Sequence, residues 1–316
     1  MTPDTVSAGG ASLRTADKPF TVAGAGGGGI AMFDPTLQWA VAQCGFDEVW
    51  DSLDVGHDPG AIGLIDNGRH LAHRALDGRI ARYVAPTAGE QSIADHAGSV
   101  AGIISARRGI ARSGELDVYG CCSAQLVVYN VWTKNEGIDR AAVSAALHDA
   151  AANKLPVVNI SVTWDQVEEK LVKDALAHCA AENVVVVAAA GNGGLRGPAF
   201  YPATDKNVIA VGATNPHDDR WFDSSVGPHI FISAPGQRIW SISGNEGYDF
   251  VEGTSFAAPF VTAAVWLAKR RCPDLKIAAV RDLLSKSVVH PSLRDQGLGY
   301  GRLDMRKLRD LVPGYC

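Results

Sequence analysis

The sequence lacks any apolar run near the roughly 18 residues that a membrane-spanning helix needs. It also lacks a basic stretch followed by an apolar run at its start, so no secretory signal is read there. An excess of charge of one sign is missing too. The 29 Lys and Arg against 34 Asp and Glu leave a net charge of −5. That balance offers no basic face to nucleic acid or to an anionic membrane. Cys44, Cys121, Cys122, Cys179, Cys272 and Cys316 fit no zinc spacing and are too thinly spread for a disulfide scaffold. They read as free, mostly buried thiols of a reducing compartment. A vicinal bond at Cys121-Cys122 would be strained. Asp and Glu do not cluster in a readable calcium loop, and no repeat or interdomain linker divides the chain. The expected location is cytoplasmic, or secreted if a signal and propeptide were removed before this numbering.

What is present is ordinary globular composition: 316 residues, 47% hydrophobic and 20% charged, enough for a large core. Residues 1–35 read as a flexible Gly-rich extension and 36–316 as one domain. Gly24 to Gly29 match G-x-G-x-x-G, but the preceding apolar run is short and the next helix starts too late for a phosphate-binding turn. Asp34-Pro35 reads as the start of a helix with Leu37, Ala40, Val41 and Cys44 on its apolar face. Apolar runs at 61–65, 126–132, 156–162, 184–190 and 208–213 alternate with helical patterns at 138–153 and 166–182. That alternation predicts parallel βαβ units, and the near-continuous apolarity of the runs predicts a sheet covered on both faces.

Four polar residues sit where such a sheet places its sites. Asp66 ends the first run, before Asn67-Gly68, and Asn192 follows the run 184–190 among glycines. Either could be a plain turn former. His96 opens a small-residue helix. Ser255 lies in Gly253-Thr254-Ser255-Phe256-Ala257-Ala258-Pro259, at the head of an apolar helix. Thr254 is the expected N-cap there. The free N–H groups of a helix start favour the negative charge that develops in acyl transfer. Pro259 should cost that helix one backbone hydrogen bond. His70 and His73, three apart, have a spacing that could suit a metal; without further ligands they read as surface or hydrogen-bonding histidines.

The order Asp66, His96, Asn192, Ser255 resembles that of the subtilisin-like serine proteases. Ile65-Asp66-Asn67-Gly68 is similar to the family's Asp-(Thr/Ser)-Gly motif. His96 to Gly102 is similar to His-Gly-Thr-His-Val-Ala-Gly, and Ala190-Gly191-Asn192 to the oxyanion segment. Gly253 to Pro259 is similar to Gly-Thr-Ser-(Met/Phe)-Ala-(Ser/Ala)-Pro. Asn159-Ile160-Ser161 resembles the cleft strand, and Gly299 to Asp304 the closing turn. The resemblance covers roughly residues 36–312. It implies a three-layer α/β/α sandwich with a mostly parallel, seven-or-so-stranded sheet. It implies a serine endopeptidase with Ser255 as nucleophile, His96 as base, Asp66 as its orienting acid and Asn192 as oxyanion donor. Ser161, Val162, Thr163, Trp164 and Gly191 would line the substrate cleft. No cofactor is implied for catalysis, although structural calcium is possible.

The sequence departs from the family at Ala97, Gly98 and Ser99, which replace Gly, Thr and His, and at Asn67. None of these removes a catalytic group. Thr163-Trp164 replaces the usual Gly-Gly of the cleft strand, so the cleft is expected to be narrow and the enzyme selective, with a preference for small P1 residues or a particular substrate. The expected partner is a peptide or protein, with residues 1–29 as a candidate inhibitory segment. Two alternatives are a peptide-processing or macrocyclising transferase on the same site and a non-catalytic binding module on the same fold.

Overall fold

Short runs rich in Val and Ile build one nine-stranded sheet, because β-branched side chains pack well on a pleated surface. The computed structural model describes residues 33–68, 71–85, 95–110, 117–133, 137–165, 169–290 and 297–316. Residues 1–32 and His70 lie outside the described residues; so do the Gly24–Gly29 run and the candidate inhibitory segment. The described chain begins at Phe33, whose ring packs edge-on against Trp50 and Tyr119.

The strands used below are β1 (Ile62–Asp66), β2 (Ile80–Val84), β3 (Leu126–Asn130), β4 (Val157–Ile160), β5 (Trp164–Asp165), β6 (Val185–Ala189), β7 (Phe200–Tyr201), β8 (Val208–Thr214), β9 (Ile230–Pro235), β10 (Ile239–Ser243), β11 (Gly247–Val251), β12 (Val288–Val289) and β13 (Arg302–Leu303). The helices are α1 (Trp39–Cys44), α2 (His96–Ser105), α3 (Arg140–Ala152), α4 (Lys170–Ala181), α5 (Thr254–Arg271), α6 (Ile277–Lys286) and α7 (Met305–Leu311). The sheet runs β12-β13-β9-β8-β6-β4-β1-β3-β2, and every pairing except β12 with β13 is parallel.

Alternate residues of each strand enter different cores, as the two-residue period requires. Leu64, Val128, Val157 and Val187 join one core with α2 and α5. Ile65, Tyr129, Val158 and Val186 join the other with α3 and α4. The sheet is therefore sandwiched between helical layers, as the sequence predicts. Because β1, β4 and β6 are parallel neighbours, their C-terminal ends open on one edge. Asp66, Ser161 and Asn192 sit at or just beyond those ends.

Several local expectations are corrected. The first helix proper begins at Trp39; Asp34 Oδ1 instead caps the turn before it, accepting from the Thr36 and Leu37 N–H groups. The hairpin β10–β11 is not anticipated from the sequence. It serves α2, because Gly102 lets the helix approach so closely that a Cβ there would lie 2.8 Å from Ser241 Oγ. Ser99 Oγ donates to Ile242 O at 2.8 Å, and Ser241 Oγ donates to Ser99 O at 2.7 Å. His73 is fully buried rather than on the surface, and its Nδ1 accepts from Ala75 N at 3.1 Å. Burial lowers its pKa, reinforced by the Arg74 charge.

The cysteine expectation is also corrected. Cys272 and Cys316 form a disulfide, tying the C-terminal residue to the end of α5. Cys44, Cys121, Cys122 and Cys179 are free and buried. Burial pushes the Cys44, Cys122 and Cys179 thiols up to about 12, so they are inert packing groups. With its cysteines 44 positions apart in sequence, the cross-link restricts the unfolded chain by an amount worth about 4 kcal/mol in the loop-entropy picture. Replacing Cys316 with Ser is expected to lower Tm by about 5–10 °C, measured by calorimetry under oxidising conditions. An unchanged Tm would show that the cross-link does not constrain the chain in solution.

Candidate active site

The site is assembled where β1, β4 and β6 end and α5 begins. Asp66, the last residue of β1, is fully buried. Its Oδ1 accepts from Asn67 N at 2.6 Å and lies 2.5 Å from His96 Nδ1. The start of α2 is pinned beside β1 because Ala97 N donates to Asn67 O at 2.9 Å. That backbone bond sets the imidazole against the carboxylate. The His96 side chain keeps 27% of its surface exposed, so one edge of the ring meets solvent. Its other neighbour is the Phe256 ring, with centroids 5.0 Å apart. Burial alone would lower the His96 pKa, but the charge and hydrogen bond of Asp66 outweigh it and leave the pKa raised.

Gly253, not Thr254, occupies the N-cap of α5. Its φ of 145° lies outside the range other residues favour, and a Cβ there would sit 3.3 Å from Asn192 Nδ2. Thr254 is the first helical residue and does different work. Its N–H and Oγ1 both donate to Asn192 Oδ1, at 3.0 and 2.8 Å, while Oγ1 accepts from Gly191 N at 3.0 Å. The Asn192 oxygen is thus engaged twice, while its Nδ2 lies beside the bare backbone of Gly253, and Asn192 is exposed.

From Thr254 to Lys269 every residue of α5 is buried except Ser255. The one residue of this stretch that is not fully buried, half-buried Ser255, is therefore the second of the helix, whose N–H has no partner within the helix by geometry. Ser255 Oγ donates to Ser161 O at 2.9 Å, and Ser161 Oγ donates to Ser255 O at 2.8 Å. Pro259 explains the second bond. In an uninterrupted helix, the N–H four residues on would take the Ser255 carbonyl; proline has none. The freed acceptor is satisfied from β4 instead. The bond expected to be lost is thus replaced by a link between helix and sheet. Asn159 extends that link, donating from Nδ2 to Ser161 Oγ and accepting from Thr262 Oγ1, both at 2.8 Å.

Of the residues implied to line a cleft, Ser161, Val162, Trp164 and Gly191 are buried and Thr163 is half-buried. Trp164 does not face an open cleft. It pairs with Tyr201 across β5 and β7, with ring centroids 5.5 Å apart, and the Arg140 guanidinium lies 5.9 Å from its ring centroid. Sequence reasoning missed Thr254 as the residue orienting Asn192, and missed Phe200, whose ring lies against Gly191. The spacing of neither residue carries a signal for these contacts, which are long-range. Among the described residues no group of three or more His, Cys, Asp or Glu converges as for a metal. No described helix is long and apolar enough to cross a membrane.

The site thus holds an imidazole braced by a carboxylate, a hydroxyl at a helix start and the amide of an exposed asparagine. This is the equipment acyl transfer uses. Residues 59–301 match the subtilase family. The minor extracellular protease Epr of Bacillus subtilis (strain 168) is 31% identical over 217 residues, 67% of this chain and 32% of that protein. Subtilisin DY of Bacillus licheniformis is 31% identical over 235 residues, 72% of this chain and 83% of that protein. The crystal structure of a lanthipeptide protease superposes with a TM-score of 0.73 at 20% identity, covering 87% of this chain and 94% of that one, a likeness of fold. The cytoplasmic expectation finds no support in these relatives, one of which is named extracellular, nor in the Cys272–Cys316 disulfide, a bond that persists in oxidising surroundings.

Replacing Thr254 with Val removes both side-chain bonds that orient the Asn192 and Gly191 segment while keeping the shape. We expect kcat to fall about tenfold with KM little changed, since about 1.4 kcal/mol of orientation is lost. Unchanged kcat in steady-state assays on a cleavable peptide would remove Thr254 from that role.

Proposed function

The chain belongs to the subtilase family, whose members are serine-type endopeptidases, and from that premise we propose how its own residues cleave a peptide bond. The observation that carries the reading is a carboxylate-braced His96 whose ring packs on Phe256, the neighbour in sequence of the half-buried Ser255 at the head of α5. Rotation about the Ser255 Cα–Cβ bond moves Oγ from Ser161 O towards His96 Nε2. Oγ then attacks the scissile carbonyl carbon while its proton passes to Nε2. The carbonyl electron pair moves onto oxygen, where Asn192 Nδ2 and the Ser255 N–H stabilise it. His96 returns the proton to the leaving amine as the C–N bond breaks. Water repeats the sequence in the second half-reaction and releases the acid. Asp66 holds Nδ1–H throughout, fixing the tautomer and stabilising the imidazolium.

The substrate is a peptide or protein, and the packed Thr163–Trp164 wall supports a selective enzyme over a general digestive one. Restriction also suits peptide maturation, in which a single bond is cut.

Two outcomes test the reading. Asn192→Ala is expected to lower kcat by about 10²–10³, the loss of one oxyanion donor; full activity would exclude it. The pH profile supplies the other. His96 works as a base only when neutral, and its raised pKa means that less of it is neutral at a given pH. Hence kcat/KM should fall on acidification with a midpoint above the ordinary histidine value of about 6.5. Asp66→Asn should move that midpoint down and cost roughly 10⁴ in kcat. A wild-type acid limb lying below the ordinary value would contradict the Asp66–His96 assignment.

A further inference from the structure

Given that Ser255 is the nucleophile, we propose that the Phe200 ring closes the pocket beside it and confines the residue on the acyl side of the cut bond, P1, to small side chains such as Gly, Ala or Ser. The reacting carbonyl carbon has to lie within reach of Ser255 Oγ and of Asn192 Nδ2, and the P1 Cα is one bond away. Ser255 Oγ rests 2.9 Å from Ser161 O, so the chain from Ser161 to Thr163 flanks one side. Asn192 belongs to the segment Gly191–Gly193, which flanks the other. A P1 side chain therefore enters between these two stretches of backbone.

Phe200 occupies the space at the second wall. A Cβ on Gly191 would overlap the ring, lying 2.7 Å from Cγ and 2.9 Å from Cε2. A Cβ on Gly193 would lie 3.1 Å from Cε2. The ring is thus laid against the bare backbone of this wall, in volume that the two glycines leave free. Gly191 also has a φ of 98°, so its conformation and its contact both require glycine.

The ring is held there by its strand. β7 pairs antiparallel with β5, Phe200 opposite Asp165 and Tyr201 opposite Trp164, so the two walls are tied together where they converge. Tyr201 is fully buried, its hydroxyl donates to Asp205 Oδ2 at 3.3 Å, and its ring packs on Trp164. Phe200 itself is only half-buried, as a ring lining an accessible pocket would be. Trp164 then acts at one remove, as the support for the strand that carries Phe200. An aromatic P1 residue would have to bury a side chain of about 150–250 Å² where an aromatic ring already lies. A small one fits in front of it.

The test uses peptidyl diphenyl phosphonates that differ only in carrying Ala or Phe at P1. These label an activated serine covalently, and the rate is followed by intact-protein mass spectrometry. The wild type is expected to react with the Ala probe at least about tenfold faster than with the Phe probe. Phe200→Ala should raise the Phe-to-Ala rate ratio by about tenfold or more, with Phe200→Leu intermediate. The Leu variant carries the test if the Ala variant fails to fold by near-UV circular dichroism. Equal rates in the wild type, or a ratio unchanged in the folded variants, would overturn the pocket assignment while leaving Ser255 as the nucleophile. No labelling of folded wild type by either probe would overturn the nucleophile, and the pocket assignment with it.

Discussion

The site depends on the two-way hydrogen bonding between Ser161 and Ser255. It joins the end of β4 to the second residue of α5, and it exists because Pro259 withholds the N–H that would otherwise take the Ser255 carbonyl. A helix-breaking residue inside a buried helix is costly in isolation. Here its consequence is a fixed register between helix and sheet at the point where a hydroxyl must be placed within a few tenths of an ångström. Asn159 and Thr262 continue the link into the interior, so that no member of the chain of donors and acceptors is left unsatisfied.

Around that joint, the polar groups of the site are positioned by backbone or by short side chains rather than by long, flexible ones. Asn67 O fixes the first turn of α2, Asn67 N braces Asp66, and Gly253 clears room for the Asn192 amide. The loop Gly191–Gly194 is anchored in turn: Ser225 N donates to Gly191 O and Gly193 N donates to Ser225 Oγ, both at 3.0 Å. Electrostatic stabilisation of a developing charge is effective when the donors need not reorganise, and this arrangement meets that condition. The proposed selectivity would have a different origin, in the ribbon β5–β7 beyond these polar groups.

Much of the fold is legible in the sequence because its signals are local. The Val-rich runs at 157–160 and 185–189 are strands in any context that buries both faces, and alternation with amphipathic helices leaves parallel pairing as the simple solution. Asp66, His96, Asn192 and Ser255 are legible because motifs of short span surround each. The hairpin β10–β11 is not, since its alternation is blurred by Ser241 and Ser243 and its stability comes from contact with α2. The Cys272–Cys316 bond joins residues far apart in sequence, and spacing alone cannot pair six cysteines. Thr254 looks like an N-cap because its side chain suits one; it is displaced to the first turn because Asn192 competes for the same hydroxyl. Thr163 and Trp164 were legible as an unusual wall, but the ring laid against Gly191 comes from another strand, which only the tertiary structure brings near.

The central claim is that Ser255 is an activated nucleophile, and the most direct measurement is fluorophosphonate labelling of wild type and Ser255→Ala, with the modified peptide located by mass spectrometry. The account predicts a single adduct on Ser255 in the wild type and none in the variant. Folded wild type that stays unlabelled, or a label that persists in Ser255→Ala, would contradict it.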